Sequence, residues 1–154
     1  MWPGSGFKYQ QKLPTFVQAF DLSMNWTQRV DIAVSWLVHE TKPANLVLMY
    51  FEQPDEDGHQ YGPNSKPVDQ QLQRINAITS YYLEQLIIHG LGDTVNSIVL
   101  SDHGMETINH KTILNLNDYL DPEAYSLCGI SPGLNVQPKK GKNELPGYLL
   151  DQKY

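Results

Sequence analysis

The chain has 154 residues, 40% of them hydrophobic and 18% charged, with 11 Lys and Arg against 17 Asp and Glu and a formal net charge of −6. A domain of this length buries roughly 70% of its unfolded surface, so one packed core is within reach. The acidic balance excludes a nucleic-acid-coating surface and a polybasic membrane patch. The longest apolar run, Leu46 to Phe51, falls far short of the roughly 20 residues that span a bilayer.

The start, Met1-Trp2-Pro3-Gly4-Ser5-Gly6, has neither the basic n-region nor the apolar h-region of a secretory leader. The first 26 residues, rich in Gly, Pro and aromatics, read as irregular structure. A helix is expected from Thr27 to Glu40: Val30, Val34, Leu37 and Val38 share one face, and Lys42-Pro43 ends it. Asn45 to Phe51 is a continuous apolar run, the pattern of a strand buried on both faces. Pro54, Gly58, Gly62, Pro63 and Pro67 then mark a long turn-rich loop. A second helix is expected from Val68 to His89, with Val68, Leu72, Ile75, Tyr82 and Leu86 as its apolar stripe. Gln70, Gln73 and Arg74 face water there, and His89-Gly90 supplies the stop.

Ser97 to Leu100 reads as a second buried strand and runs into Ser101-Asp102-His103-Gly104. Helix, strand, helix, strand in that order predicts an α/β layered fold with a mainly parallel central sheet and flanking helices. Beyond Met105 the pattern weakens: Ile113 to Leu120 suits a short helix and Gly133 to Pro138 a short strand. Lys139, Lys140 and Lys142 form a basic run with no interleaved aromatic, which reads as a solvated loop. The lone Cys128 excludes an internal disulfide and an all-cysteine zinc site.

Two groups of candidate metal ligands lie just past the two predicted strands, where open α/β sheets carry their sites. Asp55 and His59 stand four apart in Pro54-Asp55-Glu56-Asp57-Gly58-His59, so one helical or turn-like segment can aim both at one point. Gly58 would permit a tight bend beside the histidine. Asp102 and His103 are adjacent, and both can reach one ion only where the strand ends, with Gly104 relaxing the backbone. Carboxylate plus imidazole without thiolate suits a catalytic zinc ahead of manganese or iron. Two such pairs on neighbouring strands invite a two-metal phosphoryl-transfer reading. Singly, each pair is more often a turn cap or a surface feature; their conjunction carries the signal. An EF-hand fails on spacing, because Gly58 falls fourth and Lys66 twelfth counted from Asp55.

Several spaced motifs in order resemble the nucleotide pyrophosphatase/phosphodiesterase family of the alkaline phosphatase superfamily. They are Met1-Trp2-Pro3-Gly4-Ser5, then Arg29 and Trp36, then Glu52-Gln53-Pro54-Asp55 through Gly58-His59, Tyr61-Gly62-Pro63, and Ser101-Asp102-His103-Gly104-Met105-Glu106. The resemblance implies that residues 1–154 form one partial phosphodiesterase catalytic domain, an alkaline-phosphatase-like layered fold truncated at both ends. It implies two zinc ions, with Asp55 and His59 ligating one and Asp102 and His103 the other. A threonine or serine nucleophile and a further zinc aspartate are expected before the Trp-Pro-Gly motif, and the last zinc histidine after Tyr154. No catalytic nucleophile is therefore recognisable in this chain: Thr15, Thr27, Thr41, Thr79, Thr94, Thr107 and Thr112 lack the motif, and His39, His89 and His110 read as surface residues.

The isolated chain is accordingly expected to be inactive and its parent active on phosphodiester or pyrophosphate bonds of nucleotides. Phe20 matches an aromatic on which family members stack a base, a contact worth about 1–3 kcal/mol; an ordinary core aromatic is the alternative. Two departures bear on specificity, since Gln53 stands where an acid is common and Gly6 where an aspartate is common. Asn25-Trp26-Thr27 is a glycosylation sequon, consistent with the family's extracellular or cell-surface domain. A membrane anchor would lie outside this chain, and no nucleic-acid polymer is expected as a partner. Cys128 is expected either to pair with a cysteine elsewhere in the parent or to be a small buried residue. The competing readings are a diesterase of phosphocholine lipids in the same family and a non-catalytic metal- or protein-binding surface protein.

Overall fold

The computed structural model describes residues 4–109, 111, 113–129 and 133–141. Met1, Trp2 and Pro3 of the first motif, His110, Thr112 and Lys142 lie outside them. The chain divides into two units, Met1–Thr107 and Ile108–Tyr154.

In the first unit, α1 (Trp26–Leu37) begins where Asn25 accepts a hydrogen bond from the Thr27 N–H, pairing a donor that the first turn leaves free. It stops three residues short of the expected Glu40. The His39 ring Nδ1 accepts from the N–H groups of Thr41 and Lys42 at 3.4 and 3.3 Å, turning the chain away. The long helix α3 (Lys66–Ile88) starts two residues before the expected Val68, because Pro67 fits the first turn, where its missing N–H costs nothing. Trp26, Val30 and Val34 of α1 pack on Ile78 and Leu86 of α3, and Ile75, Tyr81 and Tyr82 close around them. Leu72 does not join this stripe; it is half exposed. Arg74 does not simply face water either, since its guanidinium lies 3.8 Å from the centre of the Trp26 ring.

Between these helices the sequence pattern predicted a turn-rich loop, with a helical segment through Asp55 and His59 as one option, and α2 (Asp55–Tyr61) forms there. Asp55, Glu56 and Asp57 fill its first turn, where negative charge faces the positive end of the helix. Gly62 ends it with φ +88°, a conformation costly for any residue with a Cβ, and returns its N–H to Gly58 O at 2.9 Å.

The mainly parallel central sheet is not formed among the described residues. Their one sheet is antiparallel, in the second unit, where β1 (Tyr125–Cys128) pairs with β2 (Asn135–Pro138) in the register Tyr125 to Pro138. A strand is a ladder property, and among the described residues neither 45–51 nor 97–100 belongs to a sheet. Only alternate residues of the first run turn inward: Met49 and Phe51 pack on the core while Leu46 and Leu48 are exposed. In the second, Ile98, Val99 and Leu100 are all exposed. Neither is the doubly buried strand that its composition suggests.

The short helix expected over Ile113 to Leu120 reduces to one 3₁₀ turn, Leu116–Asp118, capped by the Asn115 side chain. The strand expected over Gly133 to Pro138 is β2, entered two residues later. Cys128 is exposed on β1, which corrects the expectation of a small buried residue. Lys139 lies 3.7 Å from Glu123 at the end of that hairpin.

Candidate functional site

The segment that carries the first ligand pair is anchored from beneath. Arg29, on the apolar face of α1, is 1% exposed. Its guanidinium donates to Glu52 Oε2 at 2.7 Å, to Tyr50 O at 3.2 Å and to Asp21 O at 3.0 Å. The rings of Phe20 and Phe51 lie 5.7 and 5.8 Å from it. Trp26 Nε1 donates to the other Glu52 oxygen at 3.1 Å. Burial pushes the Glu52 carboxyl up, but the Arg29 hydrogen bond, with the Trp26 bond and the Arg29 charge, outweighs it and holds Glu52 below the usual glutamate value. Glu52 is thus ionised, doubly held, and three residues from Asp55.

On α2, Asp55 and His59 lie one turn apart with Asp55 Oδ1 3.4 Å from His59 Nε2. Gly58 does not serve as a bend. It lies inside the helix, and a Cβ there would run into the Met105 thioether, so the missing side chain is what lets the turn at 102–105 pack against α2. Gly104 takes no left-handed φ, so its backbone freedom is not used. Within that turn the Ser101 hydroxyl donates to His103 O.

The turn brings His103 Nε2 to 3.8 Å from Asp55 Oδ1 and 3.8 Å from Asp102 Oδ2. The four sequence-predicted ligands therefore meet, with Asp55 Oδ1 at the junction. That oxygen is buried and has no hydrogen-bond partner. Among the described residues no three His, Cys, Asp or Glu side chains already surround one point as a closed metal-holding group; the donors meet in pairs.

The pairs suit a divalent cation on three counts. With bonds of about 2.0–2.1 Å, two donors of one tetrahedral zinc stand about 3.4 Å apart, the spacing of Asp55 Oδ1 and His59 Nε2. The His103 Nδ1 donates to Gly104 O at 2.9 Å, which aims Nε2 outward as an acceptor, the arrangement that ligating histidines use. Asp55 Oδ1 makes no hydrogen bond and has the His59 and His103 imidazoles at 3.4 and 3.8 Å, so a cation held with those rings would complete its surroundings. The Gly104 hydrogen bond raises the His103 pKa, and Asp102 and Asp55 add to that against slight burial.

Tyr50 connects this cluster to Phe20. The two rings meet edge to face at 5.7 Å. Burial first, then the charges of Asp102, Asp55 and Glu52, push the Tyr50 hydroxyl up, so it stays neutral. Phe20 is half-buried and lines a cavity of about 310 Å³ with Gly4, Ser5, Gly6, Phe7, Val17 and Ala19. Asn25 is exposed and is the N-cap of α1. Sequence reasoning named Arg29, Glu52 and Met105 only as motif residues and missed the Arg29–Glu52–Trp26 network, the contact of Met105 with Gly58, and Tyr50. The one available signal was an arginine beside Val30, Ala33 and Val34 on a buried helix face.

Two carboxylate–imidazole pairs with no thiolate define the chemical class of this site. Residues 1–149 match the family described as Type I phosphodiesterase / nucleotide pyrophosphatase, and the chain belongs to that family. It is 34% identical over 142 residues to ectonucleotide pyrophosphatase/phosphodiesterase family member 5 from Homo sapiens, covering 92% of this chain and 30% of that protein. It is 30% identical over 146 residues to the bis(5'-adenosyl)-triphosphatase of Bos taurus, covering 94% and 32%. The solved structure of murine family member 5 aligns with a TM-score of 0.74 at 34% identity, over 92% of this chain and 38% of that one. An inactive variant of the same murine protein in complex with AMP aligns with a TM-score of 0.73. The chain thus shares the fold of that protein over the aligned part, and spans about a third of its relatives' length.

Proposed function

We propose that the chain forms part of the catalytic domain of a zinc-dependent phosphodiesterase that cleaves phosphodiester or pyrophosphate bonds of nucleotides. One observation supports this above the others: His59 and His103 both approach Asp55 Oδ1, at 3.4 and 3.8 Å, and Asp102 lies 3.8 Å from His103, so the four side chains form one linked cluster. Asp55 and His59 would hold one zinc, and Asp102 and His103 the second. When bound, zinc offsets charge on the phosphoryl oxygens and lowers the pKa of a bound hydroxyl or water. The chain's own residues orient the reactants. Glu52, fixed by Arg29 and Trp26, holds the segment leading to Asp55. Gly104 O fixes the His103 ring.

Phe20 offers a ring to a nucleobase, and Tyr50 spans from that ring toward the carboxylates. A nucleotide substrate accords with the AMP bound by the murine relative. An extracellular or cell-surface location fits the exposed Asn25, whose Oδ1 caps α1 while its amide nitrogen is the atom that glycosylation modifies.

The test is hydrolysis of a chromogenic nucleotide diester by the whole protein that carries this chain, with metal content measured alongside. We expect two zinc ions per chain and a loss of at least about 100-fold in kcat for Asp102→Asn, the scale of several kcal/mol of metal stabilisation. Faster turnover of choline diesters would move the substrate class to lipids. Zinc-free protein, or full activity in Asp102→Asn, would overturn the reading.

A further inference from the structure

The N-terminus of α2 is held in an unusual way. Its cap residue is Pro54, which has no side-chain acceptor. Gln53, one position earlier, does the capping instead: its Oε1 accepts the Asp57 N–H at 3.1 Å. The same amide donates through Nε2 to Asp57 Oδ1 at 3.3 Å and to Glu56 Oε2 at 3.4 Å. The second oxygen of Asp57 accepts from Gln71 Nε2 of α3 at 2.9 Å. Asp57 is therefore gripped from the backbone segment before the helix and from the long helix beside it. The remaining Gln71 oxygen is buried without a partner, so the Asp57 bond is what orients that amide.

We propose that Gln53, Asp57 and Gln71 form a positioning brace that presets Asp55 and His59 for a divalent cation. This rests on the metal reading given above. A seven-residue helix has few bonds of its own to fix its rotation. Asp57 lies two residues from each ligand, on a different face of the same turn and a half, so clamping both of its oxygens fixes where Asp55 and His59 point. The polarity of the clamp also explains why an amide suits position 53. A carboxylate there would still accept the Asp57 N–H but would face the Asp57 carboxylate oxygen at 3.3 Å and Glu56 at 3.4 Å. Gln53, Asp57 and Gln71 are positioning residues that touch neither metal nor substrate.

Zinc titration of the 154-residue chain by calorimetry, with circular dichroism as a control on helix content, tests the brace. Gln53→Glu is expected to weaken zinc binding about 10-fold, the lower end for groups that orient metal ligands. Asp57→Asn, which sets amide against amide, is expected to do the same. The double variant Gln53→Glu with Asp57→Asn exchanges donor and acceptor across the 53–57 contact, restores the original charge, leaves only the exposed Glu56 facing position 53, and should bind more tightly than either single variant.

The sign separates this from simple charge effects. An added carboxylate near a cation site would otherwise tighten binding in Gln53→Glu. Tighter or unchanged binding there, or additive losses in the double variant, would overturn the brace. A chain in which Asp55→Asn changes nothing would instead overturn the metal reading itself.

Discussion

At the scale of single residues, the buried arginine carries the largest stability consequence. Replacing Arg29 by Met would leave Glu52 ionised, largely enclosed and without its cation. Breaking one side of such a pair costs about 3–5 kcal/mol, so urea unfolding of Arg29→Met should show a loss near the lower bound. Changing Glu52→Leu as well should recover part of that loss, and a double variant no better than the single one would refute the pairing. The same pair predicts a pH effect. Glu52 titrates lower in the folded chain than in the unfolded one, so the folded state binds fewer protons. Its contribution is present above the ordinary glutamate value of 4.5 and is lost as pH falls through the lower folded value. Thermal melts should therefore show acid destabilisation below about pH 4.5 that is smaller in Glu52→Gln. Gly58→Ala makes a different point. The added methyl meets the flexible end of Met105, so the fold should survive, while the displaced turn at 102–105 should weaken zinc binding. Pairing it with Met105→Ala should restore binding, as read by the same titration.

At the scale of elements, the first turn of α1 joins two roles that substitutions can separate. Asn25 caps the helix through its side-chain oxygen, and losing such a cap costs about 1 kcal/mol. Asn25→Asp should keep the melting temperature while abolishing glycosylation in a secretory host, whereas Asn25→Ala should lose both. Glycosidase treatment followed by gel mobility reads the modification, and no mobility shift in the parent chain would argue against the secretory route. The elements also show what a sequence can and cannot disclose. α1 and α3 were legible because a 3.6-residue apolar repeat is a property of one segment alone. α2 showed only as one option because Pro54, Gly58 and Gly62 signal turns locally, while its stability comes from Gln53 and from Gln71 in another helix. The ligand pairs were legible as spacings within each segment. Their convergence was not, since it depends on the absence of a Cβ at Gly58 against Met105, 47 positions away by residue number. Arg29 and Glu52, 23 residues apart, were visible as motif residues, but their pairing left a trace only as a charge on an apolar face.

At the scale of the whole molecule, the two apolar runs expected as strands belong to no sheet among the described residues, because a strand requires a ladder and composition does not say which segment would supply it. Leu46, Leu48, Ile98, Val99 and Leu100 consequently present apolar side chains to solvent, a pattern that favours self-association. Leu46→Lys with Ile98→Lys should reduce binding of a hydrophobic dye and raise solubility. Stability should stay within about 0.5 kcal/mol per site, as for other surface changes; an unchanged dye signal would show that these side chains are covered in solution.

The contrast between helices and unpaired segments also sets a clock. In α1 the helical N–H groups of Val30 and Val34 lie under buried side chains, whereas among the described residues the backbone at 97–100 belongs to no helix or sheet. Deuterium should enter 97–100 within the earliest labelling times and reach Val30 and Val34 only through global opening. Asp102 and His103, the proposed ligands of the second zinc, sit directly on the fast-labelling side of that divide, so adding zinc should slow exchange in a stretch the ion never touches.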